Sequence, residues 1–168
     1  DEAILSVVAD RLATAAKRDT ARVFVTTRNR QMLAVDGDGK VVWRRSADVR
    51  FAPFVMQSLL IAAERNGRVI AVNRLTGQLA WATRLATEPT GAPVAALGGI
   101  AISGAGNSLT ILDRSGAIVA TRRHDSLGSA AVPLDADRFL EPVVRLDGGT
   151  RYAVRRWGTS DVSKLLDA

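Results

Sequence analysis

The amino-acid sequence predicts an all-β fold built from repeated four-stranded antiparallel sheets. Apolar residues fall in short runs bounded by turn residues, the chain holds 14 glycines, and the runs recur roughly every 40 residues. With 47% apolar and 24% charged residues, the 168-residue chain is long enough to bury a core. The absence of cysteine excludes disulfides, thiolate metal sites and cysteine nucleophiles.

The N-terminal segment is the exception, because its pattern predicts an α-helix over residues 1–18. Its apolar residues recur at helical spacing: Ile4, Leu5, Val8, Leu12 and Ala15. Acidic residues precede this stripe and basic residues follow it, as the helix dipole favours. We expect the helix to pack by this single apolar face.

From Ala21 onward, three segments share one turn pattern. In each segment a strand runs into Asp or Asn, a tight turn ends in glycine, and Trp or Ala follows four residues later. The members are Asp36, Gly39 and Trp43, then Asn73, Gly77 and Trp81, then Asp113, Gly116 and Ala120. We predict that Asp36 and Asp113 form turns by accepting hydrogen bonds from nearby backbone N–H groups.

Each turn pattern follows an earlier hairpin, which completes a larger unit. Asn66-Gly67 in the second hairpin predicts a type I′ turn, in which both central residues have positive φ. The predicted units are four, at about residues 21–46, 52–84, 92–123 and 129–157, with a tail at 158–168. Four strands per unit is what a β-propeller blade requires.

The strand count leaves the predicted set of sheets open at both ends. The first unit has no strand before Ala21 to begin its sheet, and the fourth has no clear last strand after Trp157. The sequence therefore predicts a partial or small β-propeller of three to four blades, preceded by a helix.

The turn pattern resembles the repeat of the PQQ-like (quinoprotein-type) propellers. The residues that carry the resemblance are Ala34-Val35-Asp36 with Gly39 and Trp43, and Ala71-Val72-Asn73 with Gly77 and Trp81. It covers residues 21–123 well and 124–157 poorly. The resemblance implies that Trp43 and Trp81 pack between adjacent blades. It leaves activity open, because the family includes cofactor enzymes and scaffolds.

Arginines recur at two positions of the repeat, and the chain carries a net charge of +6. Arg45, Arg84 and Arg123 follow the turn glycines by six or seven residues, and Arg28, Arg30 and Arg65 lie at the first hairpin turns. A propeller would gather such residues into a basic rim that could bind an acidic protein partner. The same residues could equally form a solvated edge that discourages strand-to-strand aggregation.

One alternative function is that of a fragment of a PQQ-dependent quinoprotein dehydrogenase. The resemblance would then imply a full ring, a Ca²⁺ ion, a catalytic Asp and a vicinal disulfide, but the chain has no cysteine and its aspartates lie in predicted turns. His124 and Asp125 are neighbours, yet adjacent strand residues point to opposite faces. We therefore predict no enzymatic activity and no cofactor.

A second alternative is a basic module that binds nucleic acid or other anions, suggested by the sequence pI of about 10.9. Proteins that bind nucleic acids specifically usually concentrate basic residues on one element or interleave them with aromatic residues, and the aromatic share here is 5%. We therefore expect no nucleic-acid partner. The sequence also contains no apolar run near the ~20 residues that cross a bilayer.

The resemblance extends to function through the non-enzymatic, BamB-like members of the PQQ-like family. These are docking platforms in multiprotein complexes of the bacterial cell envelope. The sequence therefore predicts a protein-interaction scaffold of the periplasm or cell envelope, without naming the partner.

Overall fold

The structure is a computed structural model that describes residues 3–10, 22–96, 98–123, 132–133, 138–144 and 150–156. These residues form fifteen β-strands and no helix. The strands are β1 (Ile4–Ala9), β2 (Val23–Thr27), β3 (Gln31–Val35), β4 (Val41–Ser46), β5 (Phe54–Met56), β6 (Leu59–Ala63), β7 (Arg68–Asn73), β8 (Leu79–Arg84), β9 (Val94–Ala96), β10 (Gly99–Gly104), β11 (Ser108–Leu112), β12 (Ile118–Arg123), β13 (Val132–Pro133), β14 (Arg138–Val144) and β15 (Thr150–Arg156).

The strands form four antiparallel meanders, in which each strand pairs with the next along the chain. Three sheets have four strands, β1–β4, β5–β8 and β9–β12, and one has three described strands, β13–β15. We refer to them as the first to fourth blades. The first two blades lie in one compact unit, residues 1–84, and the other two in a second, residues 85–168.

The predicted N-terminal helix is wrong, because residues 4–9 form strand β1. This strand pairs with β2 through Ala9 opposite Val23 and Val7 opposite Val25. It therefore supplies the strand that the sequence had left missing from the first blade. The rest of the predicted helix, residues 1–2 and 11–18, lies outside the described residues, as do the predicted tail 158–168 and His124.

The core of the first unit lies between its two blades. Alternate residues of each strand point into it, as the period of a strand requires. The first blade contributes Phe24, Met32, Ala34 and Trp43, and the second contributes Leu60, Ala62, Ile70 and Val72. Most of these side chains are 0–1% exposed. Full burial of each larger one stabilises the fold by about 1.5–3 kcal/mol.

The two blades are joined through one tryptophan and one turn. The indole of Trp43, on β4, packs against Gly77 so closely that a Cβ on this glycine would stand 2.7 Å from the indole Cδ2 atom. The indole Nε1 donates a hydrogen bond to the backbone oxygen of Arg74 in the same turn, at 3.0 Å. Trp43 can therefore pack between the two blades because the residue that it covers is a glycine, which has no side chain.

Arg74 also reaches the opposite side of the first blade. Its guanidinium pairs with the carboxylate of Asp10, which is fully buried at the end of β1. The Asp10 amide donates to the backbone oxygen of Arg22, at the start of β2, at 2.9 Å. One turn of the second blade thus contacts both the first and the last strand of the first blade. The buried Asp10 carboxylate has its charge matched by the partly buried Arg74.

The repeated turns are built around side-chain oxygens, as the sequence predicts. Asp36 Oδ1 accepts from the Lys40 amide at 2.9 Å, and Asn73 Oδ1 accepts from the Leu75 amide at 2.9 Å. Asp113 Oδ1 accepts from the Ser115 hydroxyl at 2.6 Å and from the Ala117 amide at 2.9 Å. These two bonds, the hydroxyl's first, hold the pKa of the Asp113 carboxyl below its ordinary value.

The turn glycines have the backbone conformation that glycine favours. Gly39, Gly77 and Gly116 have φ of 82°, 70° and 85°. Directly after each turn the ladder shifts register by one residue, which twists the outer edge of each blade and makes it a poorer template for pairing.

The core of the third blade in the second unit is built in the same alternating way from smaller side chains. Its buried members are Ala96, Ala101, Leu109, Ile111 and Ala120. Ala120 stands opposite Ile111 at the position that tryptophan holds on β4 and β8. The third blade therefore keeps the fold of the repeat without the indole.

Candidate functional site

The candidate site is an arginine-rich edge of the first unit, which we call the basic edge. It lies where the β2–β3 and β6–β7 hairpins turn and where β4 and β8 end. Its charged members are Arg28, Arg30, Asp48, Glu64, Arg65, Arg68 and Arg84. Five arginines against two carboxylates give this edge a local excess of positive charge.

The β6–β7 hairpin turns differently from the sequence prediction. Gly67 has a φ of 83°, whereas Asn66 is absent from the positive-φ residues, so the type I′ turn is wrong. The Gly67 amide donates to the Glu64 backbone oxygen at 3.1 Å, and the Asn66 side chain accepts from the Arg68 amide at 2.9 Å. This is the three-residue hairpin in which a type I turn precedes a left-handed residue.

The β2–β3 hairpin repeats this geometry with an arginine in the left-handed position. Arg30 has a φ of 57°, and its amide donates to the Thr27 backbone oxygen at 3.2 Å. A side chain larger than glycine costs roughly 1–2 kcal/mol in that conformation. The first blade thus holds an arginine where the second has Gly67, and the Arg30 side chain is 74% exposed.

Asp48 organises the arginines of the two hairpins. Its carboxylate lies 3.6 Å from Arg30 Nε and 3.4 Å from Arg65 Nε, so one carboxylate bridges both blades. Its backbone oxygen accepts from the Arg65 amide at 3.0 Å. Exposed ion pairs are worth only about 0–1 kcal/mol each, so the bridge orients the two cations more than it stabilises the fold.

A second cluster stands beside this bridge. Arg68 is directly opposite Arg84 in the β7–β8 ladder, and like charges in that arrangement repel. Glu64, which is buried, pairs with Arg68 at 3.6 Å. Among the described residues, no carboxylate forms an ion pair with Arg28 or Arg84.

The structure brings together four of the six predicted arginines. Arg28, Arg30, Arg65 and Arg84 lie on the basic edge, whereas Arg123 ends β12 in the second unit, opposite Ser108. Within their own blades Arg84 and Arg123 occupy the same register position, the one that Ser46 holds in the first blade.

Arg45 occupies a different position from the one that its spacing suggested. It stands opposite Met32, one residue before the end of β4, and therefore projects to the other face from Ser46. Its Nη1 donates to the Gly77 backbone oxygen at 3.3 Å. Arg45 thus contributes to the contact between the first two blades.

Sequence reasoning missed Asp48, Glu64 and Arg68. Arg68 directly follows Gly67 of the β6–β7 hairpin, so its place beside the turn could have been predicted from the sequence. The role of Asp48 depends on the path of the connection after β4, which passes between the β2–β3 and β6–β7 hairpins. The repeat pattern does not predict that path. Within the described residues, no group of three or more His, Asp or Glu side chains lies close enough together to coordinate a metal ion.

Repeated four-stranded meanders, of which the first two are joined by Trp43 packed on Gly77, define a β-propeller of PQQ-like repeats. The sequence model of the family described as outer membrane protein assembly factor BamB matches residues 8–159. The chain belongs to this family. No curated protein matches the sequence. The described residues contain no helix long and apolar enough to span a bilayer.

Solved structures show the same fold at low sequence identity. BamB from Moraxella catarrhalis matches with a TM-score of 0.63 and 16% identity over 84% of this chain and 46% of its own. BBS1N, solved in complex with ARL6DN, matches with a TM-score of 0.64 and 14% identity over 92% of this chain and 55% of its own. The chain therefore spans about half the length of these two proteins.

A quinoprotein enzyme shows a shorter match. The quinohemoprotein alcohol dehydrogenase ADHIIG from Pseudomonas putida HK5 has a TM-score of 0.51 and 22% identity, over 60% of this chain and 19% of its own. At these identities the structural likenesses establish the fold, and enzymes and non-enzymes share it.

Proposed function

We propose that the protein is a non-catalytic protein-interaction scaffold whose basic edge binds an acidic segment of a partner protein. The observation that carries the proposal is the bridge of Arg30 and Arg65 by Asp48, which presents arginines from two blades on one edge. Arginine suits this role, because its planar guanidinium binds carboxylates through two parallel hydrogen bonds.

The arrangement of charges supports binding over catalysis. Both carboxylates of the basic edge are engaged by arginines, so they orient cations. Arg28 and Arg84 flank them, and no carboxylate among the described residues neutralises either one. An acidic segment would complete the charge balance and would relieve the repulsion between Arg68 and Arg84.

We place the scaffold in a multiprotein complex of the bacterial cell envelope, in the periplasm. The support is membership of the BamB family, which is described as an assembly factor for outer membrane proteins. BBS1N is a further propeller that was solved in complex with a protein. Both likenesses favour a docking platform over a dehydrogenase for this chain.

Charge reversal of the two arginines without ion pairs tests the basic edge. In the double variant Arg28→Glu/Arg84→Glu, we expect at least about tenfold weaker binding to poly-L-glutamate at low salt, since long-range attraction is lost. In co-purification from extracts of the source organism, the partners that are lost from the double variant should be the same ones that high salt removes from the unchanged chain.

The matched control is Lys40→Glu/Arg114→Glu, which makes the same change in net charge on turns outside the basic edge. We expect the control to bind like the unchanged chain. If both doubles weaken binding equally, the attraction reflects net charge alone and the basic edge is not the site. If neither does, the acidic-partner proposal is wrong.

A further inference from the structure

The tip of the β6–β7 hairpin, on the basic edge, joins an exposed asparagine to a glycine. The sequence contains four asparagines, Asn29, Asn66, Asn73 and Asn107, and of these Asn66 precedes a glycine. Gly67 has a φ of 83° and no Cβ that would crowd its nitrogen. The nitrogen of a residue that follows asparagine can attack the side-chain carbonyl carbon, so this pair is a candidate for covalent change.

The Asn66 side chain is folded back over the peptide that would attack it. Its Oδ1 accepts a hydrogen bond from the amide of Arg68, two residues further on, at 2.9 Å. This bond holds the side-chain carbonyl beside the intervening Gly67 peptide, which lowers the entropic cost of an intramolecular attack. The Arg68 amide also points at the oxygen on which negative charge develops during the attack. The turn therefore both orients and polarises the reacting carbonyl.

The charge of the basic edge favours the same reaction. Arg65 and Arg68 flank the Asn66-Gly67 pair in the chain, and the basic edge holds five arginines against two carboxylates. Nearby positive charge stabilises the deprotonated Gly67 nitrogen, which is the nucleophile, and the anionic tetrahedral intermediate that follows. The excess of cations that suits the binding of an acidic segment therefore also promotes chemistry at Asn66.

One backbone hydrogen bond opposes the reaction. The Gly67 amide donates to the Glu64 backbone oxygen at 3.1 Å, and the nitrogen must leave this bond before it attacks. The bond closes the tip of a hairpin, where local opening costs less than in the strands. Gly67 is buried, but both reacting atoms belong to the hairpin itself. Water is needed only afterwards, at Asn66, which is exposed.

We propose that Asn66 is a site of spontaneous deamidation, which lowers the positive charge of the basic edge. The Gly67 nitrogen bonds to Asn66 Cγ, and the side-chain nitrogen leaves as ammonia with the proton of the Gly67 amide. Water then opens the resulting succinimide at one of its two carbonyl carbons, giving aspartate or isoaspartate without oxidation or reduction. Either product adds a third carboxylate to the basic edge, between Arg65 and Arg68.

Asn73, in the β7–β8 turn, is an internal standard for this reaction. Its Oδ1 accepts from the Leu75 amide at 2.9 Å, so its side chain is folded back as that of Asn66 is. The residue that follows is Arg74, whose Cβ crowds the nitrogen and whose guanidinium pairs with the buried Asp10. Asn73 thus has a similarly placed carbonyl and a nitrogen that is fixed in place.

Peptide mapping by mass spectrometry tests the proposal on the unchanged 168-residue chain, incubated at mildly alkaline pH. We expect Asn66 to deamidate at least about tenfold faster than Asn73, because glycine leaves its nitrogen uncrowded. A rate at Asn66 no greater than that at Asn73 would overturn the proposal. The control Gly67→Asn copies Asn107, which precedes β11 with a φ of 57°, and keeps the net charge. It should slow the reaction at Asn66 at least about tenfold, and an unchanged rate would also overturn the proposal.

The consequence for binding rests on the proposed function, and a second measurement keeps the two apart. Asn66→Asp reproduces the added charge, and we expect at least about twofold weaker binding to poly-L-glutamate at low salt. The matched control Asn73→Asp makes the same change in net charge in a turn outside the basic edge and should bind like the unchanged chain. Equal binding by both variants would contradict the basic edge as the binding site, whereas the peptide map alone decides whether Asn66 is the site of deamidation.

Discussion

The first and second blades share one sequence pattern but differ in how their faces are covered. In the second blade, Ile61 and Ile70 point to opposite faces and are 0% and 1% exposed. In the first blade, Phe24 is fully buried on one face, whereas Val7 on the other is 58% exposed. The difference teaches that the repeat specifies a sheet with two apolar faces, and that neighbours decide which faces leave water.

The strongest test of the contact between these blades is removal of its indole. Trp43→Ala deletes the ring that packs beside Phe24 at 6.1 Å between centroids, together with the hydrogen bond to Arg74. We expect a loss of about 3–5 kcal/mol of unfolding free energy, measured by urea denaturation. Trp81→Ala, at a half-buried position, should cost less. Equal losses would show that Trp43 has no special place in the fold.

A matched pair of core substitutions tests the difference in burial directly. Ile70→Ala opens a cavity in the shared core and should cost about 2–5 kcal/mol. Val7→Ala, on the exposed face of the first blade opposite the shared core, should change the unfolding free energy by less than about 0.5 kcal/mol. A large loss at Val7 would mean that the face is already covered in this chain.

The two turn glycines offer a finer comparison. Gly77→Ala combines an unfavourable φ with a clash against the Trp43 ring, so we expect a loss of about 3 kcal/mol. Gly39→Ala meets only the backbone penalty, about 1 kcal/mol. Thermal unfolding of both variants checks this. A larger effect at Gly39 would contradict the free space that surrounds this residue.

The hairpins of the basic edge differ by Arg30 in the first blade and Gly67 in the second. Arg30→Gly relieves the left-handed strain and should stabilise the chain by about 0.5–1 kcal/mol, less the small contribution of the Asp48 pair. The same variant should bind poly-L-glutamate more weakly. Stability and binding that fall together would indicate that Arg30 is a structural residue.

The smallest expected effect lies in the third blade, where Asp113 stands in place of Asn73. Because folding lowers the pKa of Asp113, its contribution is present above the pKa of the unfolded chain, about 3.9, and is lost as pH falls through the lower folded value. Asp113→Asn should therefore show a slightly smaller loss of stability between pH 5 and pH 2, and the difference should be small because the Asp113 side chain is exposed. If Asp113→Asn lost the same amount of stability as the unchanged chain between pH 5 and pH 2, the proposed effect of the Asp113 pKa on stability would be contradicted.

The basic edge shows how far sequence reasoning reaches. The hairpin arginines Arg28, Arg30 and Arg65 stand out because they recur at turns, and the structure places them on one edge. Asp48 recurs only as Glu88, whose backbone oxygen accepts from the Ala105 amide where that of Asp48 accepts from Arg65. The bridge between two arginines therefore becomes visible only in the structure, where the chain crosses from the first blade to the second. Arg45 misled because it follows its turn glycine by six residues, whereas Arg84 and Arg123 follow theirs by seven. One residue along a strand reverses the face, so Arg45 points toward Gly77.

The segment at residues 4–9 shows the opposite failure. Its apolar spacing fits a helix, but Val7 and Val8 are β-branched and the free edge of β2 needs a partner. Pairing with β2 satisfies backbone groups of both strands, and burying Val8 in the shared core adds to it. The helical spacing of a few apolar residues in a short segment does not outweigh such long-range strand pairing.

The sequence by itself determined the repeat: its glycine turns, its side-chain caps at Asp36, Asn73 and Asp113, and the indole that joins neighbouring blades. These are local features, fixed by the φ that a residue tolerates and by hydrogen bonds across a few positions. The tertiary structure alone decided that β1 completes the first blade, that Asp48 gathers two arginines, and that Gly39 stays open. Those outcomes depend on which surfaces meet across the fold, and no short stretch of sequence contains that information.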